Sequence, residues 1–428
     1  MSSEWEVSEL GKEAINASRP FSFKERPNVI FVNTGDVLGG KFLHSNISES
    51  KGLPGQAKKA LRKNDILLTE IRPGNGRYAY VDFDVPNYVV STKFMVIESL
   101  GRVSPKFLYH ALTNQAALNE FQRIAESRSG TFPQITFDSI SHFPVSIPPK
   151  EEQEHLVKFL DALDDRITLL RETNATLEAI AQAIFKSWFV DFDPVRAKME
   201  GRTPEGMDEA TAALFPDSFE ESELGPVPKG WRVAPLDSAA DFLNGLALQK
   251  FPAESEDDWL PVIKIAQLRK GDTAGADRAS TSIKPEYIVQ NGDVLFSWSG
   301  SLEVEIWCGG AGALNQHLFK VSSADFPKWF YFFWTRQHLP HFQQIAASKA
   351  TTMGHIQRKH LTEAKVITPT EAVMGVANDI LGPLLGQMIN NALQAQTLAN
   401  LRGTLLPRLI SGKLRLPEAE NAIAEAIA

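Results

Sequence analysis

The sequence has little that would support a covalent framework or a membrane span. Cys308 is the single cysteine among 428 residues, which excludes a disulfide framework and a cysteine-rich zinc site. No apolar run approaches the roughly 20 residues that a membrane helix requires, and the N-terminal segment Met1-Ser-Ser-Glu-Trp-Glu lacks the features of a signal peptide. We therefore predict a cytoplasmic protein that does not span a membrane.

The sequence also lacks the short motifs on which common catalytic sites depend. It has no Gly-x-x-x-x-Gly-Lys-Ser/Thr loop for ATP, no Gly-x-Gly-x-x-Gly fingerprint and no Gly-x-Ser-x-Gly nucleophile motif. The segment Asp191-Phe-Asp-Pro-Val comes nearest to an adenine-methyltransferase motif, but it lacks the second proline and the aromatic residue after it. The closely spaced histidines have no Asp or Cys ligands nearby that would complete a metal site. We predict that this chain is not an enzyme by itself.

Acidic residues outnumber basic ones, which for the chain as a whole argues against a nucleic-acid-binding protein. There are 52 acidic and 44 basic residues, and the net charge is −8. The excess lies in residues 151–223, whose net charge is −11, so the rest of the chain is slightly basic. Within that remainder, the segment 51–77 has seven basic side chains against two acidic ones. Such a run is often only a solvated surface, and it is also what phosphate contacts require.

Three short segments recur in the same order at a nearly constant separation. A separation of about 220 residues is too long for a solenoid repeat and indicates two domains of the same fold. The recurring pairs are Trp5-Glu-Val-Ser-Glu-Leu with Trp231-Arg-Val-Ala-Pro-Leu, Asn64-Asp-Ile-Leu with Gly292-Asp-Val-Leu, and Val145-Ser-Ile-Pro with Val366-Ile-Thr-Pro.

Each copy is predicted to be a mixed α/β (α+β) domain followed by a long helix. Short apolar strands such as residues 29–32 and 294–296 alternate with Gly, Pro and Asn, and helical stretches follow them. The predicted boundaries are 1–150 for a first recognition domain, 151–190 for spacer helix 1, 191–229 for an acidic connector, 230–370 for a second recognition domain, 371–414 for spacer helix 2 and 415–428 for a tail.

The two long helices carry narrow apolar seams with a period of 3.5 residues, which is typical of coiled coils. Two such helices favour pairing with each other, and the connector allows an antiparallel pair that separates two like domains as a pseudo-twofold dumbbell. We expect Gly382-Pro383 to bend or delay the second helix. The predicted seam residues are Leu163, Ile167, Leu170, Leu177 and Ile184 in the first helix, and Leu384, Met388, Leu398 and Leu405 in the second.

Four segments at the ends of the helices and domains resemble the specificity (S) subunits of type I restriction–modification systems, and the resemblance extends over essentially the whole chain. One departure is that Pro369-Thr-Glu replaces the Pro-Pro start of the first helix, so helix 2 is expected to begin later. The four segments are Pro148-Pro-Lys-Glu-Glu-Gln-Glu, Lys186-Ser-Trp-Phe-Val-Asp-Phe-Asp-Pro-Val-Arg, Leu224-Gly-Pro-Val-Pro-Lys-Gly-Trp and Leu406-Pro-Arg-Leu-Ile-Ser-Gly-Lys-Leu.

The resemblance implies a non-catalytic subunit whose two target-recognition domains read a split, asymmetric sequence in double-stranded DNA. The paired helices would serve as spacer and as docking surface for two modification subunits, which use S-adenosylmethionine to methylate adenine N6. Restriction subunits, which use ATP and magnesium, would join them. No cofactor or metal is expected on this chain itself.

DNA contacts require Lys, Arg and backbone amides for phosphates, and Arg, Asn, Gln, Ser and Thr for base edges. Arg72 and Arg77 could instead pair only with surface carboxylates. The predicted DNA-binding residues of the first domain are Lys58, Lys59, Arg62, Lys63, Arg72, Asn75, Arg77, Arg128, Thr131 and Gln134, and those of the second are Lys264, Gln267, Arg269, Trp298, Ser299, Ser301, Lys349, Thr351 and His355.

The competing hypothesis is a two-domain adaptor that binds proteins and does not read DNA directly. It predicts no salt-dependent affinity for DNA, whereas phosphate contacts weaken steeply as salt is added.

Overall fold

The computed structural model describes residues 5–24, 26–128, 130–348 and 354–427. Its internal contacts divide the chain into two units, Met1–Arg166 with Thr397–Ala428, and Ile167–Gln396. Each unit therefore contains one repeated domain together with parts of both long helices. The predicted boundaries follow chain order, so they do not show this sharing of the helices.

The first domain consists of short strands and short helices that lead into a long helix. The helix Pro105–Thr113 shows why these residues start a helix. Ser104 caps it, because its side chain accepts a hydrogen bond from the Phe107 amide, and Pro105 suits the first helical position. The elements are β1 (Glu6–Glu9), α1 (Leu10–Glu13), β2 (Ala14–Asn16), β3 (Asn28–Val32), β4 (Val37–Leu38), β5 (Lys41–Phe42), β6 (Ser48–Glu49), β7 (Ala57–Ala60), β8 (Ile66–Thr69), β9 (Tyr78–Tyr80), β10 (Tyr88–Ser91), β11 (Phe94–Ser99), α2 (Pro105–Thr113), α3 (Gln115–Arg128), α4 (Phe137–Ile140), β12 (Pro144–Ile147) and α5 (Lys150–Phe189).

Two four-stranded sheets form the body of the first domain. One has the order β2-β11-β8-β9 and is antiparallel throughout. The other has the order β6-β3-β10-β7, in which β3 and β10 are parallel. All four residues of β8 are buried, which explains its continuous apolar run. Finally, β1 pairs with β12 directly before the long helix, with Glu6 opposite Ile147.

The predicted connector contains elements of its own. Apolar side chains hold them: Phe192 and Phe215 are buried, and both rings lie against Trp231, with centroid separations of 5.9 and 6.3 Å. Residues 191–229 are therefore part of the second unit's core and more than a linker. The elements are α6 (Asp193–Met199), α7 (Glu209–Leu214), β13 (Phe219–Ser222) and β14 (Gly225–Pro228).

The second domain repeats the strand arrangement of the first. Its sheets have the orders β16-β23-β20-β21, antiparallel, and β18-β17-β22-β19, with β17 and β22 parallel. The mixed α/β class and the two like domains are confirmed. The elements are β15 (Arg232–Pro235), α8 (Leu236–Ala239), β16 (Asp241–Asn244), β17 (Leu260–Ile263), α9 (Ile265–Lys270), β18 (Arg278–Ala279), β19 (Ile288–Val289), β20 (Val294–Ser297), β21 (Val304–Ile306), β22 (Gly312–Leu314), β23 (Leu318–Ser322), α10 (Lys328–Ser348), α11 (Arg358–Glu363), β24 (Lys365–Thr368), α12 (Glu371–Ile410) and α13 (Leu416–Ile427).

The second long helix starts at its predicted boundary but ends before the predicted one. It starts at Glu371 and runs through Gly382-Pro383, so the expected delay is wrong. The helix continues because Val373, Ala377 and Leu381 are all fully buried in the core of the second domain, and this packing outweighs the missing hydrogen bond at the proline. It ends at Ile410 and not at 414, and the tail forms α13.

The predicted seam is largely buried within each unit. Leu163, Ile167 and Leu170 are buried in α5, as are Leu398 and Leu405 in α12. The remaining four are only partly buried. At one of them, Leu384, the predicted seam is off by one residue, because Leu385 is the residue buried against the domain core. Near each domain the helix packs on a wider surface than a partner helix offers, so the buried face departs from a strict heptad. The partly buried seam residues are Leu177, Ile184, Leu384 and Met388.

Within each unit, the two helix segments are antiparallel and meet through polar side chains. In the first unit, Arg402 Nη2 donates to Asp164 Oδ2 at 2.9 Å. In the second, Asn391 Nδ2 donates to Asn174 Oδ1 at 2.9 Å, and Asn174 Nδ2 donates to the Met388 carbonyl at 2.8 Å. Asn391 is buried and Asn174 is partly buried, and a polar pair of this kind between paired helices can fix their register.

The helix Glu371–Ile410 is also long and apolar enough to cross a membrane by length and composition alone. This qualifies the expectation drawn from apolar runs in the sequence. One such helix is weak evidence for a membrane span, because a core helix of a globular fold passes the same test. Its first turns lie in the core of the second domain, whereas only 22% of its most apolar 18-residue stretch is buried.

Candidate nucleic-acid interface

Two loops predicted to contact DNA lie side by side in the first domain. Residues Ile71 and Gln134, which are 63 positions apart, form an isolated antiparallel bridge. The Ile135 amide donates to the Glu70 carbonyl at 2.8 Å, and the Arg72 amide donates to the Pro133 carbonyl at 3.1 Å. Main-chain hydrogen bonds therefore fix the loop after β8 against the loop after α3.

The second domain builds the same arrangement from different residues. Ser299 and His355 form the equivalent bridge. The Ile356 amide donates to the Trp298 carbonyl at 3.0 Å, and the Gly300 amide donates to the Gly354 carbonyl at 2.8 Å. The two loops of each domain thus share one hydrogen-bonded backbone arrangement, which we call the loop frame: residues 70–72 with 133–135, and residues 298–300 with 354–356.

A third segment joins each frame, and the sequence patterns considered above did not indicate it. The Glu70 amide donates to the Lys93 carbonyl at 2.9 Å, and the Trp298 amide donates to the His317 carbonyl at 3.3 Å. Lys93 and His317 follow equivalent strands, β10 and β22, and are 224 positions apart. The corresponding tripeptides, Ser91-Thr-Lys and Asn315-Gln-His, have no residue in common, so the sequence repeat gave no signal for this segment.

The side chains on the first frame are polar and charged. Gln134 Nε2 donates to Glu70 Oε2 at 3.0 Å. The Arg72 side chain is exposed and has no hydrogen bond or ion pair with any described residue. A carboxylate, an amide and a guanidinium on one rigid edge can donate to and accept from base edges.

The side chains on the second frame are aromatic and amide in character. Trp298 Nε1 donates to Asn244 Oδ1 at 2.9 Å, and its ring stands edge-on to that of His355 with centroids 6.2 Å apart. His317 Nδ1 lies 2.9 Å from the Ser299 hydroxyl oxygen. Asn244 was not among the predicted residues, since its contact with Trp298 spans 54 positions and has no local signal.

The basic run of the first domain is mostly available to solvent. Lys58, Arg62 and Lys63 are exposed, and none has a side-chain partner among residues that the structure describes. Lys59 is different: its Nζ donates to the Phe94 carbonyl at 2.5 Å, and burial lowers its pKa. This hydrogen bond gives Lys59 a role within the fold, and its contact with phosphate stays a prediction.

The other predicted DNA-binding residues of the first domain also include some with partners inside the protein and some that are exposed. Arg77 Nη1 donates to the carbonyls of Gly35 and Val37 at 2.9 and 3.0 Å and fastens a neighbouring loop, and its contact with DNA stays a prediction. Arg128 is exposed and donates to Thr136 Oγ1 at 3.3 Å. Asn75 and Thr131 are exposed near the frame and stay predictions.

Three residues of the second domain that were predicted to bind DNA contact partners inside that domain. Lys264 is ion-paired with Asp277, and Arg269 Nε donates to Glu303 Oε1 at 2.7 Å. Gln267 is buried, and its side chain accepts a hydrogen bond from the Lys264 amide at the start of α9. These three residues contact partners within their own domain, and their assignment to DNA stays a prediction.

The remaining candidates of the second domain are of three kinds. Ser299 is 3% exposed, and its hydroxyl oxygen lies 2.9 Å from His317 Nδ1, so its contact with DNA stays a prediction. Trp298 and His355 are partly buried at the frame, and Ser301 is exposed beside it. Lys349 and Thr351 lie outside the described residues.

No cluster of three or more His, Cys, Asp or Glu suited to a metal ion occurs in the described parts of the chain. What the frames offer is hydrogen-bond donors and acceptors, exposed cations in the first domain and an indole face in the second. This set suits recognition of a ligand with phosphates and base edges.

Comparison with known proteins gives matches over most of the chain. A family model described as the type I restriction modification DNA specificity domain matches residues 2–179. The specificity subunit of the type I restriction enzyme HindI from Haemophilus influenzae is 35% identical, with 96% of this chain and 100% of that protein covered. The specificity subunit of the type I enzyme MjaIX from Methanocaldococcus jannaschii is 24% identical over 87% of this chain and 82% of that protein.

A solved structure shares the fold. The S subunit of a type I restriction–modification system from M. genitalium is 14% identical, with a TM-score of 0.50, and 95% of this chain and 96% of that one are covered. At this level of identity the likeness concerns the fold alone. The family follows from the 35% identity to the Haemophilus influenzae subunit over nearly the whole length of both proteins. The chain belongs to the family of type I restriction enzyme specificity subunits.

Proposed function

We propose that this chain is the DNA-reading subunit of a type I restriction–modification complex, in which each domain reads one half of a bipartite, asymmetric DNA site. The chain supplies recognition and no catalytic group. We place it in the cytoplasm, where it has access to the chromosome.

The observation that carries this proposal is the loop frame. Both domains hold three loop segments with equivalent main-chain hydrogen bonds, yet the side chains on the two frames differ, with Glu70, Arg72 and Gln134 on one and Trp298, Gly300 and His355 on the other. A shared backbone with different side chains is what two unlike half-sites require, because base edges are read by side-chain chemistry.

The proposal includes partners that act on the DNA. Two modification subunits would bring S-adenosylmethionine and methylate adenine N6, and restriction subunits would bring ATP and magnesium. None of these cofactors is assigned to this chain. The long helices α5 and α12 are the surfaces we assign to the modification subunits, since each is 40 residues long and extends beyond the compact domain core.

The test is to co-express the chain with its cognate modification subunit and to map methylated adenines genome-wide. We expect a bipartite motif with unlike halves. Purified complex should bind DNA carrying this motif with a steep salt dependence, because exposed cations displace counterions from phosphates. Replacing Lys58, Arg62 and Lys63 together by alanine should weaken binding to all sequences and reduce the slope of log K against log salt by about one for each cation that bound a phosphate.

The matched control replaces cations that are already paired. Lys264→Ala and Arg269→Ala should change the salt slope little, since the partners Asp277 and Glu303 already neutralise these side chains. A complex that methylates without a bipartite motif, or binds DNA with no salt dependence, would contradict the proposal and favour a protein-binding adaptor.

A further inference from the structure

Position 72 of the first domain and position 300 of the second are structural equivalents with the same unusual backbone. Both follow the frame bridge by one residue, and both amides donate to the facing loop. Arg72 has φ 45° and ψ 67°, and Gly300 has φ 67°. The left-handed region is therefore required by the frame and not by the residue that occupies it.

Glycine is the residue that this conformation favours. A side chain with a Cβ at positive φ costs on the order of 1–3 kcal/mol. The left-handed conformation of Arg72 is unfavourable for a second reason: Arg72 precedes Pro73, and residues before proline prefer an extended backbone. At Gly300 a Cβ would meet only Ile265 Cδ1 at 3.5 Å, an ordinary contact, so conformation and not space explains the glycine.

No contact of the Arg72 side chain within the described residues offsets this backbone strain. Its guanidinium is exposed and contacts no hydrogen-bond or ionic partner among the described residues. Arg19 is paired with Asp65 at 2.6 Å, Arg77 donates to the Gly35 carbonyl and Arg128 donates to Thr136. Arg62 is also exposed and unpaired, but its backbone is not left-handed, so Arg72 alone of these arginines combines a free guanidinium with a positive φ. An unpaired arginine kept where glycine would be more stable points to a ligand outside the chain.

The backbone around Arg72 is held firmly. Its amide donates to the Pro133 carbonyl at 3.1 Å, and its carbonyl accepts from the Asn75 amide at 2.9 Å. Pro73 is buried, and the Gly74 amide donates to Gln122 Oε1 at 3.1 Å. A guanidinium on so rigid a base has its direction set before the ligand arrives, which suits a two-pronged contact with one base.

Phosphate contacts have other sources nearby. The Thr92 amide, next to Lys93 of the frame, donates to the Gln56 carbonyl at 2.9 Å. This hydrogen bond joins the frame to the strand β7, which contains Lys58. Lys58, with Arg62 and Lys63, forms the exposed cationic run that suits phosphates. The rigid arginine is therefore the member of the basic set best placed to read sequence.

We propose that Arg72 is a specificity-determining residue of the first domain and donates both guanidinium arms to O6 and N7 of a guanine in the half-site that this domain reads. This inference rests on the proposed function, and it goes beyond that function by naming the residue and the base. The equivalent position of the second domain, Gly300, makes no such contact.

The experiment uses the complex of the full chain with its modification subunit and compares wild type with Arg72→Gly, the substitution that the second domain already contains. We expect the wild-type methylation motif to hold a guanine in one half. Arg72→Gly should relax the motif at that guanine and leave the other half unchanged, while the melting temperature of the chain stays equal or rises. Arg72→Lys should relax the same position, because an ammonium cannot form the paired contact.

A modified oligonucleotide isolates the contact. Replacing that guanine by 7-deazaguanine removes the N7 acceptor, so it should weaken binding of the wild-type complex by about 5- to 100-fold and leave Arg72→Gly unaffected. Arg62→Ala serves as the control, since removal of a phosphate-binding cation lowers affinity for matched and mismatched DNA alike.

Two results would overturn the proposal. If Arg72→Gly lowers binding to all sequences equally and the motif is unchanged, Arg72 contacts phosphate. If no guanine occurs in the half-site that Arg72→Gly alters, the assigned base is wrong. A wild-type complex that shows no bipartite motif would overturn the proposed function itself, and this inference with it.

Discussion

The two domains are an internal comparison, because one chain contains the same fold twice with different side chains. Strand order, the parallel pair within one sheet and the hydrogen bonds of the loop frame recur in both. The side chains at equivalent positions do not, as Arg72 and Gly300 show. The comparison teaches that backbone bonds preserve the architecture while the exposed side chains are free to diverge, so a variant in one copy can be measured against the other copy.

The largest expected effect concerns the tryptophans that open the two domains. Trp231 is 3% exposed, and its ring lies 5.8 Å from that of Phe189 and 5.9 Å from that of Phe192. Trp231→Ala should lower the free energy of unfolding by about 3–5 kcal/mol. The equivalent Trp5 is only half-buried and donates to Glu152 Oε2 at 3.2 Å, so Trp5→Ala should cost less.

Urea unfolding followed by circular dichroism measures both variants. Trp231→Phe is the control, since it keeps most of the apolar volume and removes an Nε1 that has no hydrogen-bond partner among the described residues. Its expected loss is below about 1.5 kcal/mol. Equal losses for Trp5→Ala and Trp231→Ala would mean that the two cores are alike in packing.

An intermediate effect concerns the polar contacts between the helices. In the second unit, Asn391 is 5% exposed and its Nδ2 donates to Asn174. Asn174→Ala therefore leaves this buried donor without its acceptor and should cost about 1–3 kcal/mol. In the first unit, the Arg402–Asp164 pair is partly exposed, and Arg402→Ala should cost about 0.2–1 kcal/mol, and less in high salt.

A double-mutant cycle on Asn174 and Asn391, and a salt titration of Arg402→Ala, separate the two kinds of contact. The control is Asn174→Ala with Asn391→Ala, which should recover part of the loss because no buried amide is then left alone. A salt-sensitive Asn174→Ala effect would contradict this account.

The smallest effect depends on pH. His110 is buried in α2, neither ring nitrogen has a hydrogen-bond partner among the described residues, and Nε2 lies 3.9 Å from Asp161, which Lys106 also contacts. Burial lowers the pKa of His110, despite Asp161. A lowered histidine pKa means that the unfolded chain binds the proton more readily, so stability is full above about pH 6.5 and is lost as the pH falls below that value.

The second domain has Phe332 at the place of His110, so His110→Phe is the substitution that the repeat suggests. It should reduce the loss of unfolding free energy below pH 6.5, which for one proton is at most about 1.4 kcal/mol per pH unit. Burial also lowers the pKa of His338 in the second unit, so some pH dependence will remain. Urea unfolding of the wild type and of His110→Phe at several pH values between 5 and 8 measures the difference, and equal slopes of unfolding free energy against pH for the two proteins would contradict this account.

Much of the fold could be predicted because its signals are local or periodic. The repeat placed two like domains, and the steps of three and four residues placed two long helices, which the structure finds at 150–189 and 371–410. Gly382-Pro383 and the missing Pro-Pro start led us to expect a late start for the second helix. That expectation was wrong because the burial of Val373 and Ala377 in the domain core is a long-range effect. The connector's helices and hairpin were missed for the same reason.

The candidate site was predicted in its loops and less well in its side chains. Their basic and polar residues singled out the loops 72–77 and 127–134, and the repeat offset placed their counterparts at 297–301 and 348–355. The structure joins the two loops of each pair in one frame. No sequence signal separates Lys58, which is exposed, from Lys59, which donates to the Phe94 carbonyl. Neighbours along a strand point to opposite faces, but which face is buried depends on the sheet register.

The sequence by itself therefore determined that one unit of about 220 residues occurs twice, that its acidic excess lies between the basic parts, and that each copy ends in a long helix. Only the tertiary structure decided which cations are paired, which seam residues are buried and which loops share a frame. Periodicity and composition act over a few residues, whereas the bonds that hold Arg72 in a left-handed backbone join segments about 60 residues apart. Such pairings depend on the folded chain as a whole, and they decide which side chains remain available to DNA.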